Sequence, residues 1–178
     1  MDFSPIRCYA GNHPCNRPWP NLGKSVVNRR FRDAYATMLA TMRVDAAVTL
    51  VYNDPSITEH RMRGDLRTLR AHVDREVLGR RFHSLPVSCR SEFWAVPEKL
   101  NIHPHWHLGW RLAGRPDEAI PLDDRIEILN ALLNDQGLWK KFAPCGTARV
   151  SRCDPGWMKY ATKSIQDEID IVWSAEFN

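Results

Sequence analysis

Three histidines at alternating positions are the residues of this chain best suited to chemistry: His103, His105 and His107. Residues two apart in an extended strand point to the same face, so this spacing predicts three imidazoles that project together. Neutral imidazole binds Mn, Fe, Co, Ni, Cu and Zn, and the carboxylate of nearby Glu98 would add an oxygen ligand. The stretch therefore predicts a metal site, with a histidine-rich edge strand as the alternative.

A second pair of reactive side chains follows further along the chain, Tyr160 and Lys163. On a helix this spacing makes them neighbours, and a cation beside a phenol favours the ionised, more nucleophilic form. The lysine could instead hold a phosphate oxygen, and the pair alone is also typical of an interfacial tyrosine with a snorkelling lysine. A metal that polarises a phosphate and a tyrosine that attacks it would together transesterify a phosphodiester.

The elements that must position these residues follow from hydrophobic periodicity and from cap and turn signals. In chain order the pattern predicts a helix over 28–43, a strand over 46–52, a helix from Asp54-Pro55 to Gly79, strands over 91–96 and 103–112, a helix from Leu122 ending before Gly137, a strand over 147–153 and a helix from Asp154-Pro155 to about Trp173. The fold class is therefore α+β, with the order β-α-β-β-α-β-α after an N-terminal helix.

Length and composition predict a single globular domain. The 178 residues, 43% of them hydrophobic, are enough for one core. Residues 28–174 contain no linker-like stretch, so residues 28–178 are expected to form this domain. Residues 1–27 are rich in proline and glycine and predict an irregular arm. The sequence has no secretory signal and no apolar run that would span a membrane. Its odd number of cysteines favours free thiols, so we expect a cytoplasmic protein.

The motifs, taken together, resemble the HUH endonuclease superfamily, in particular the rolling-circle replication initiators (Rep) with one catalytic tyrosine. Residues 104–107 (PHWH) match the family's His-hydrophobic-His motif, and residues 160–163 (YATK) match its Tyr-x-x-Lys motif. Residues 48–53 (VTLVYN) are similar to its first motif, an apolar strand that ends in polar turn residues. The element order is also the family's, on an antiparallel sheet related to ferredoxin-like folds. The resemblance covers about residues 46–170.

The resemblance implies a metal-dependent, sequence-specific nuclease that nicks and rejoins single-stranded DNA. His105 and His107 would hold the divalent ion, Mn or Mg, with Zn also possible. The family's acidic third ligand corresponds to Glu98. His103 remains the competing third ligand because it is predicted to project from the same strand face as His105 and His107.

Tyr160 is the nucleophile that the resemblance implies. Its attack would leave a 5′-phosphotyrosine and a free 3′-OH that primes DNA replication of a plasmid or phage, in a bacterial or infected host cell. Lys163 would orient the phosphate or the ion. Position 164 is Ser, so no second tyrosine follows one turn later.

The expected partners are single-stranded DNA or an origin hairpin and, since the chain has no Walker A motif, a host helicase and polymerase. The net charge of +4 suits a polyanionic partner.

Basic residues predicted to contact DNA are Arg80, Arg81, Lys140, Lys141, Arg149 and Arg152. Arg149 and Arg152 are expected to lie nearest to it, because their strand leads into the Tyr160 helix. Trp94, Trp106 or Trp110 could stack on bases or belong to the core. The oligomeric state is left open.

Four alternatives share some of these features. A single-tyrosine transposase typically has Gln where this chain has Ser164, and a mobilisation relaxase usually places its tyrosine before the histidines. A DNA-binding module with a structural metal would close all coordination positions, whereas a zinc hydrolase acting through bound water would leave Tyr160 unused.

Overall fold

The computed structural model describes residues 24–114, 120–163, 165 and 171–177. Its helices and strands are, in order, α1 (Lys24–Thr41), β1 (Ala46–Val51), α2 (Glu59–Leu78), β2 (Glu92–Glu98), β3 (His105–Arg111), α3 (Leu122–Asn130), β4 (Thr147–Arg152), α4 (Pro155–Ala161) and β5 (Val172–Trp173). The α+β class is confirmed. The predicted arm lies outside the described residues except for residues 24–27, which are helical. No described helix is both long and apolar enough to cross a membrane.

A five-stranded antiparallel sheet forms the centre of the fold, in the order β4-β1-β3-β2-β5. β1 and β2 are parallel to each other with β3 between them, and α2 connects them along the chain. β3 and β4 are likewise parallel with β1 between them, and α3 lies in their connection. Two split β-α-β units therefore interlock, which makes β1 and β3 the central pair.

The two faces of the sheet carry different layers. On one face, Leu50, Trp106 and Trp110 pack with the apolar stripes of α2 and α3 in the larger core cluster. Each fully buried large side chain of this kind stabilises the fold by roughly 1.5–3 kcal/mol. On the other face, Trp94 and Val96 of β2 pack with residues of α1 and α4. Helices α1 and α4 thus cover the β2 side of this face, and the β1–β4 side carries an open cavity.

Several helix ends agree with the sequence signals. Gly79 and Gly137 follow their helices with positive φ angles of 86° and 66°, a conformation that glycine adopts without steric cost. The side chain of Asp154 caps α4 by accepting a hydrogen bond from the Trp157 N–H at 2.9 Å. A π-helical turn, Ala131–Asp135, fills the space between α3 and Gly137.

Helix α2 begins later than predicted. Its cap is Thr58, whose hydroxyl accepts a hydrogen bond from the Arg61 N–H. The carboxylate of Asp54 instead accepts hydrogen bonds from the backbone N–H and hydroxyl of Ser56, which closes a local turn. Asp54 and Thr58 are both residues that commonly cap helices, and the sequence prediction placed the cap at Asp54.

The prediction that the last helix runs to about Trp173 is wrong. Helix α4 ends at Ala161, and the Thr162 hydroxyl donates a hydrogen bond to the Met158 carbonyl oxygen at 3.0 Å. Val172 and Trp173 form a fifth strand that pairs with β2. Val172 and Trp173 are residues that favour strands, and the edge of β2 offers them backbone hydrogen-bonding partners.

Candidate metal centre and adjoining tyrosine

The β2–β3 hairpin brings the candidate metal ligands together. Glu98 is the last residue of β2 and pairs directly with His105, although the sequence prediction placed it in the connecting turn. His105 and His107 alternate with core-facing Trp106 and Leu108, as their spacing predicts. The turn itself is tight: Lys99 has a positive φ of 52°, and its carbonyl oxygen accepts hydrogen bonds from Ile102 and His103.

Glu98, His105 and His107 form one compact cluster. The Glu98 Oε2 atom lies 3.3 Å from His105 Nε2 and 2.9 Å from His107 Nε2. One ligand atom from each residue lies within 4.8 Å of the others, and each residue is more than nine-tenths buried. Two imidazole nitrogens and a carboxylate oxygen are a donor set that divalent transition metals accept.

The outer nitrogen of each imidazole has a fixed partner. His107 Nδ1 lies 3.2 Å from the Thr49 hydroxyl, and His105 Nδ1 lies 2.7 Å from the His103 carbonyl oxygen. A carbonyl can only accept, so Nδ1 of His105 carries the proton, and in the neutral ring Nε2 presents a lone pair. That lone pair faces the Glu98 carboxylate at 3.3 Å, an arrangement that a shared cation stabilises. The cluster therefore fits a metal ion.

The charges in the cluster also suit a cation. Burial lowers the pKa of His107, although its hydrogen bond to Glu98 opposes this effect. Burial alone would raise the pKa of Glu98, but hydrogen bonds to Lys163 and His107 outweigh it and lower that pKa. Near neutral pH the pair is thus a carboxylate and a neutral imidazole, the protonation states that metal binding requires.

His103 lies outside the cluster, in the turn before β3, with an exposed side chain. Its ring centroid is 5.9 Å from that of His105. The alternation argument does not extend to it because the strand begins only at His105. Glu92, a more distant candidate ligand, lies at the start of β2 and forms an ion pair with Arg111.

Tyr160 and Lys163 lie directly beside the cluster. The Tyr160 ring centroid is 5.1 Å from that of His107, and its side chain is about half exposed. Lys163 Nζ lies 3.6 Å from the Tyr160 ring centroid and 3.1 Å from Glu98 Oε1. Desolvation lowers the pKa of Lys163, but its hydrogen bonds to Tyr160 and Glu98 outweigh this and raise it. Lys163 follows the end of α4 and still reaches both partners, so a phenol, an ammonium group and the cluster meet at one place.

Aromatic packing that the sequence prediction missed holds helix α4 in position on the sheet. Trp157 packs on Trp94 with ring centroids 5.5 Å apart. The Trp94 ring lies over Gly109, where an added Cβ would be only 2.5 Å from ring atoms. Glycine within a strand of large residues is the sequence signal for such close approach. The sequence prediction also missed Thr49 as a partner of His107. The sequence signal for it is that Thr49 is the single polar residue in the apolar strand β1.

A cavity of about 690 Å³ opens from the cluster across β1 and β4. His105, His107, Trp157 and Tyr160 line one side of it, and Arg149 lines the other. Trp94, Trp106 and Trp110, considered above for base stacking, are fully buried and belong to the core. The aromatic side chains at the cavity are instead those of Trp157 and Tyr160.

The six predicted DNA contacts do not share one surface. Arg149 pairs with Thr49 and faces the cavity, whereas Arg152 pairs with Ala46 on the opposite face of the sheet. Arg152 is bound there to Asp123 of α3. Residues three apart in a strand point to opposite faces, so the two arginines cannot contact the same strand of DNA on one face.

The other four basic residues fall into two groups. Lys140 donates a hydrogen bond to the Gly146 carbonyl oxygen, so it and exposed Lys141 lie at the start of β4, at the same end of the sheet as the cluster. Arg80 and Arg81 follow the end of α2, whose last turns pack beside the start of β2. They therefore lie at the end of the sheet remote from Glu98.

Comparisons of the chain with protein-family models, with curated proteins and with solved structures found no match. Any function must therefore be inferred from the site and from the sequence motifs that form it.

Proposed function

We propose that this protein nicks and rejoins single-stranded DNA through a covalent bond between the DNA and Tyr160, in a metal-dependent reaction. One observation carries the proposal: an exposed phenol adjoins a buried Glu98/His105/His107 cluster at the mouth of an open cavity. A nucleophile and a cation-binding group in contact are what phosphodiester transesterification requires.

Glu98, His105 and His107 would hold the ion, which when bound acts as a Lewis acid on a phosphate oxygen. Over the described part of the chain, no fourth His, Cys or carboxylate joins the group. Three protein ligands leave coordination positions open, which is typical of catalytic sites and not of closed structural ones. Two imidazoles favour Mn²⁺ over Mg²⁺, which prefers oxygen ligands, and they also accept Zn²⁺.

In the proposed step the Tyr160 phenol loses its proton to solvent, and its oxygen forms a bond to phosphorus. The bond from phosphorus to O3′ of the preceding nucleotide breaks, and that oxygen takes up a proton and leaves as a free 3′-OH. The phosphate remains on Tyr160 as a 5′-phosphotyrosine. One ester replaces another, so the 3′-OH can attack the phosphotyrosine and reseal the strand.

Lys163 has a positioning part in this step. Its ammonium group already contacts both the Tyr160 ring and Glu98, so it stabilises negative charge that develops on the phenol and on the phosphate. Arg149 lies across the cavity and suits a neighbouring backbone phosphate, and Trp157 offers a surface for an unpaired base.

The resemblance to Rep proteins extends the proposal to rolling-circle replication. The free 3′-OH would prime a host polymerase, and a host helicase would open the duplex. Tyr160 is the only tyrosine at the cavity among the described residues, since Tyr52 is buried and Tyr35 lies on α1. Single-tyrosine chemistry follows from this arrangement. A single-tyrosine transposase or a relaxase would share this chemistry, but the residue at 164 and the order of histidines and tyrosine favour a Rep-type protein.

The test is covalent capture of DNA. Purified protein is incubated with a single-stranded library of random sequence, labelled at the 3′ end because the fragment downstream of the nick stays on the protein. The reaction contains Mn²⁺ or EDTA and is then separated on a denaturing protein gel. The proposal predicts label on the protein in Mn²⁺ only, and its loss in Tyr160→Phe. The matched control is Tyr52→Phe, which removes a phenol that is 1% exposed and out of reach of DNA.

Each other outcome contradicts the proposal in a distinct way. DNA cut without an adduct and unaffected by Tyr160→Phe would indicate hydrolysis by an activated water. An adduct that forms equally in EDTA would remove the metal from the reaction. Binding of the library without cutting or adduct would favour a non-catalytic DNA-binding module.

A further inference from the structure

A second cavity, of about 380 Å³, lies between α1 and α4, behind the tyrosine. Its lining contains four cationic side chains: Arg29, Arg32, Lys159 and Lys163. Among the residues that the structure describes, Asp33 is the only carboxylate in this lining. We infer that this α1–α4 cleft binds backbone phosphates of the single strand that reacts at Tyr160, and so forms a second half of the DNA track. The inference rests on the proposed function and adds to it a site on α1.

Two of the four cations are available to a ligand. Arg29 and Lys159 have exposed side chains that form no hydrogen bond or ion pair with any residue the structure describes. Arg32 Nε donates a hydrogen bond to the Ile165 carbonyl oxygen at 3.3 Å, which fixes its guanidinium beside the cleft. Lys163 is bound to Glu98. Of the cations described in the cleft, two are therefore held by described partners and two have no partner among the described residues.

Helix α4 is the wall that the two cavities share. Gly156, Trp157 and Tyr160 line the larger cavity, whereas Lys159 and Lys163 line the cleft. A strand whose phosphate reaches Tyr160 lies at the edge of α4, and the chain on either side of that phosphate must continue somewhere. The DNA on one side of that phosphate lies in the sheet cavity beside Arg149, and the DNA on its other side lies in the α1–α4 cleft.

The chemistry of the cleft suits a polyanion with spaced charges. Guanidinium and ammonium groups bind phosphate oxygens, and Arg29 and Arg32 present theirs on one face of α1, since they are three residues apart. Lys159 faces them from α4. Single-stranded nucleic acid binds in such grooves through its backbone, without dependence on base sequence.

The test measures DNA binding without chemistry. All proteins carry Tyr160→Phe and are kept in EDTA, and binding of a fluorescent mixed-sequence oligonucleotide of about 20 nucleotides is followed by anisotropy at several salt concentrations. The variant combines Arg29→Gln with Lys159→Gln. The slope of log K against log salt is negative, and two lost phosphate contacts on a single strand reduce its magnitude by about 1.4. Binding at low salt is also weaker.

The matched control combines Arg30→Gln with Arg75→Gln. These arginines are also exposed, they lie outside the cleft, and their loss changes the net charge by the same amount. An equal fall in the magnitude of the slope in both double variants would overturn the inference in favour of diffuse electrostatics. An unchanged slope in the cleft variant, or no oligonucleotide binding by the Tyr160→Phe protein, would also overturn it. Single variants Arg29→Gln and Lys159→Gln, each expected to reduce the magnitude of the slope by about 0.7, serve if the double variant does not fold.

This design separates the inference from the proposed reaction. A slope of smaller magnitude in the cleft variant together with no covalent adduct would leave the cleft as a DNA-binding site and would refute only the tyrosyl chemistry. An adduct together with an unchanged slope would do the reverse.

Discussion

Thr49 and the His103 carbonyl decide which nitrogen of each imidazole faces the cluster. The Thr49 hydroxyl lies 3.2 Å from His107 Nδ1, and the carbonyl lies 2.7 Å from His105 Nδ1. Partners of this kind fix the tautomer and the orientation of a metal-binding histidine. The backbone partner is part of the hairpin turn, so only the threonine can be removed by substitution.

Thr49→Val is expected to weaken Mn²⁺ binding about tenfold, because His107 loses the partner that orients it. The change keeps the shape of the side chain and a β-branched residue in the strand. Titration calorimetry with Mn²⁺ measures the effect. The matched control is Thr147→Val, which lies in the same cavity wall on β4 without contact to a ligand. Equal Mn²⁺ affinity of the Thr49 variant and the wild type would contradict the role given to Thr49.

The pH dependence of metal binding follows from the two shifted ligands. Metal requires neutral His107 and ionised Glu98, and the pKa values of both lie below their ordinary values. Acidification protonates the ligands, so affinity falls as pH falls. Because both pKa values are lowered, the loss of affinity that these two ligands cause occurs below the ordinary histidine pKa of about 6.5. Mn²⁺ titrations at a series of pH values give the pH at which the affinity begins to fall. A fall that begins well above the ordinary histidine pKa would contradict this assignment.

At the scale of elements, the position of α4 depends on Trp94 and Trp157. Trp94 lies against Gly109 and supports Trp157, and Trp157 belongs to the helix that carries Tyr160. The distance from Tyr160 to His107 therefore depends on Gly109 in β3.

Gly109→Ala is expected to destabilise the protein by about 1–3 kcal/mol, because the new methyl group overlaps the Trp94 ring. Urea unfolding measures this, and the covalent-capture yield is expected to fall with it. Gly64→Ala is the matched control: it lies in α2 with nothing within 4 Å of an added Cβ, so it should stabilise by about 0.5–1 kcal/mol. A Gly109→Ala protein as stable as the wild type would refute the stacking account.

Local signals predicted several helix ends but not the pairing of distant strands. The Asp154 cap, Gly79 and Gly137 are single-residue signals, and the structure places all three as expected. The fifth strand depends on a partner far away in sequence, β2, and local periodicity gave no sign of it. The helix prediction continued to about Trp173, whereas the structure ends α4 at Ala161 and places Val172 and Trp173 in a strand.

At the scale of the whole molecule, the ligand pair His105 and His107 could be read from the sequence because alternation in one strand is a local property. The third position was left between Glu98 and His103, since that choice depends on where β2 ends and β3 begins. Register places Glu98 opposite His105, and the turn excludes His103 from the cluster. Sequence proximity grouped Arg149 with Arg152, whereas the register places the two side chains on opposite faces of the sheet.

The fold also explains why the site is open on two sides. Among the described residues, helices α2 and α3 cover one face of the sheet, and α1 and α4 cover only part of the other. Tyr160 lies on α4, with the sheet cavity on one side and the α1–α4 cleft on the other. The proposed function therefore predicts that a single strand of DNA approaches Tyr160 along these two cavities.

The most direct test of the central claim is to locate the DNA adduct by mass spectrometry. Protein incubated with the single-stranded library and Mn²⁺ is digested with nuclease and protease, and its peptides are searched for an attached nucleotide phosphate. We predict that this mass is found on Tyr160, that it is absent after incubation in EDTA, and that His107→Ala abolishes it. A nucleotide attached to another residue, or DNA cut with no modified peptide, would contradict the claim that Tyr160 and the metal cluster form one active site.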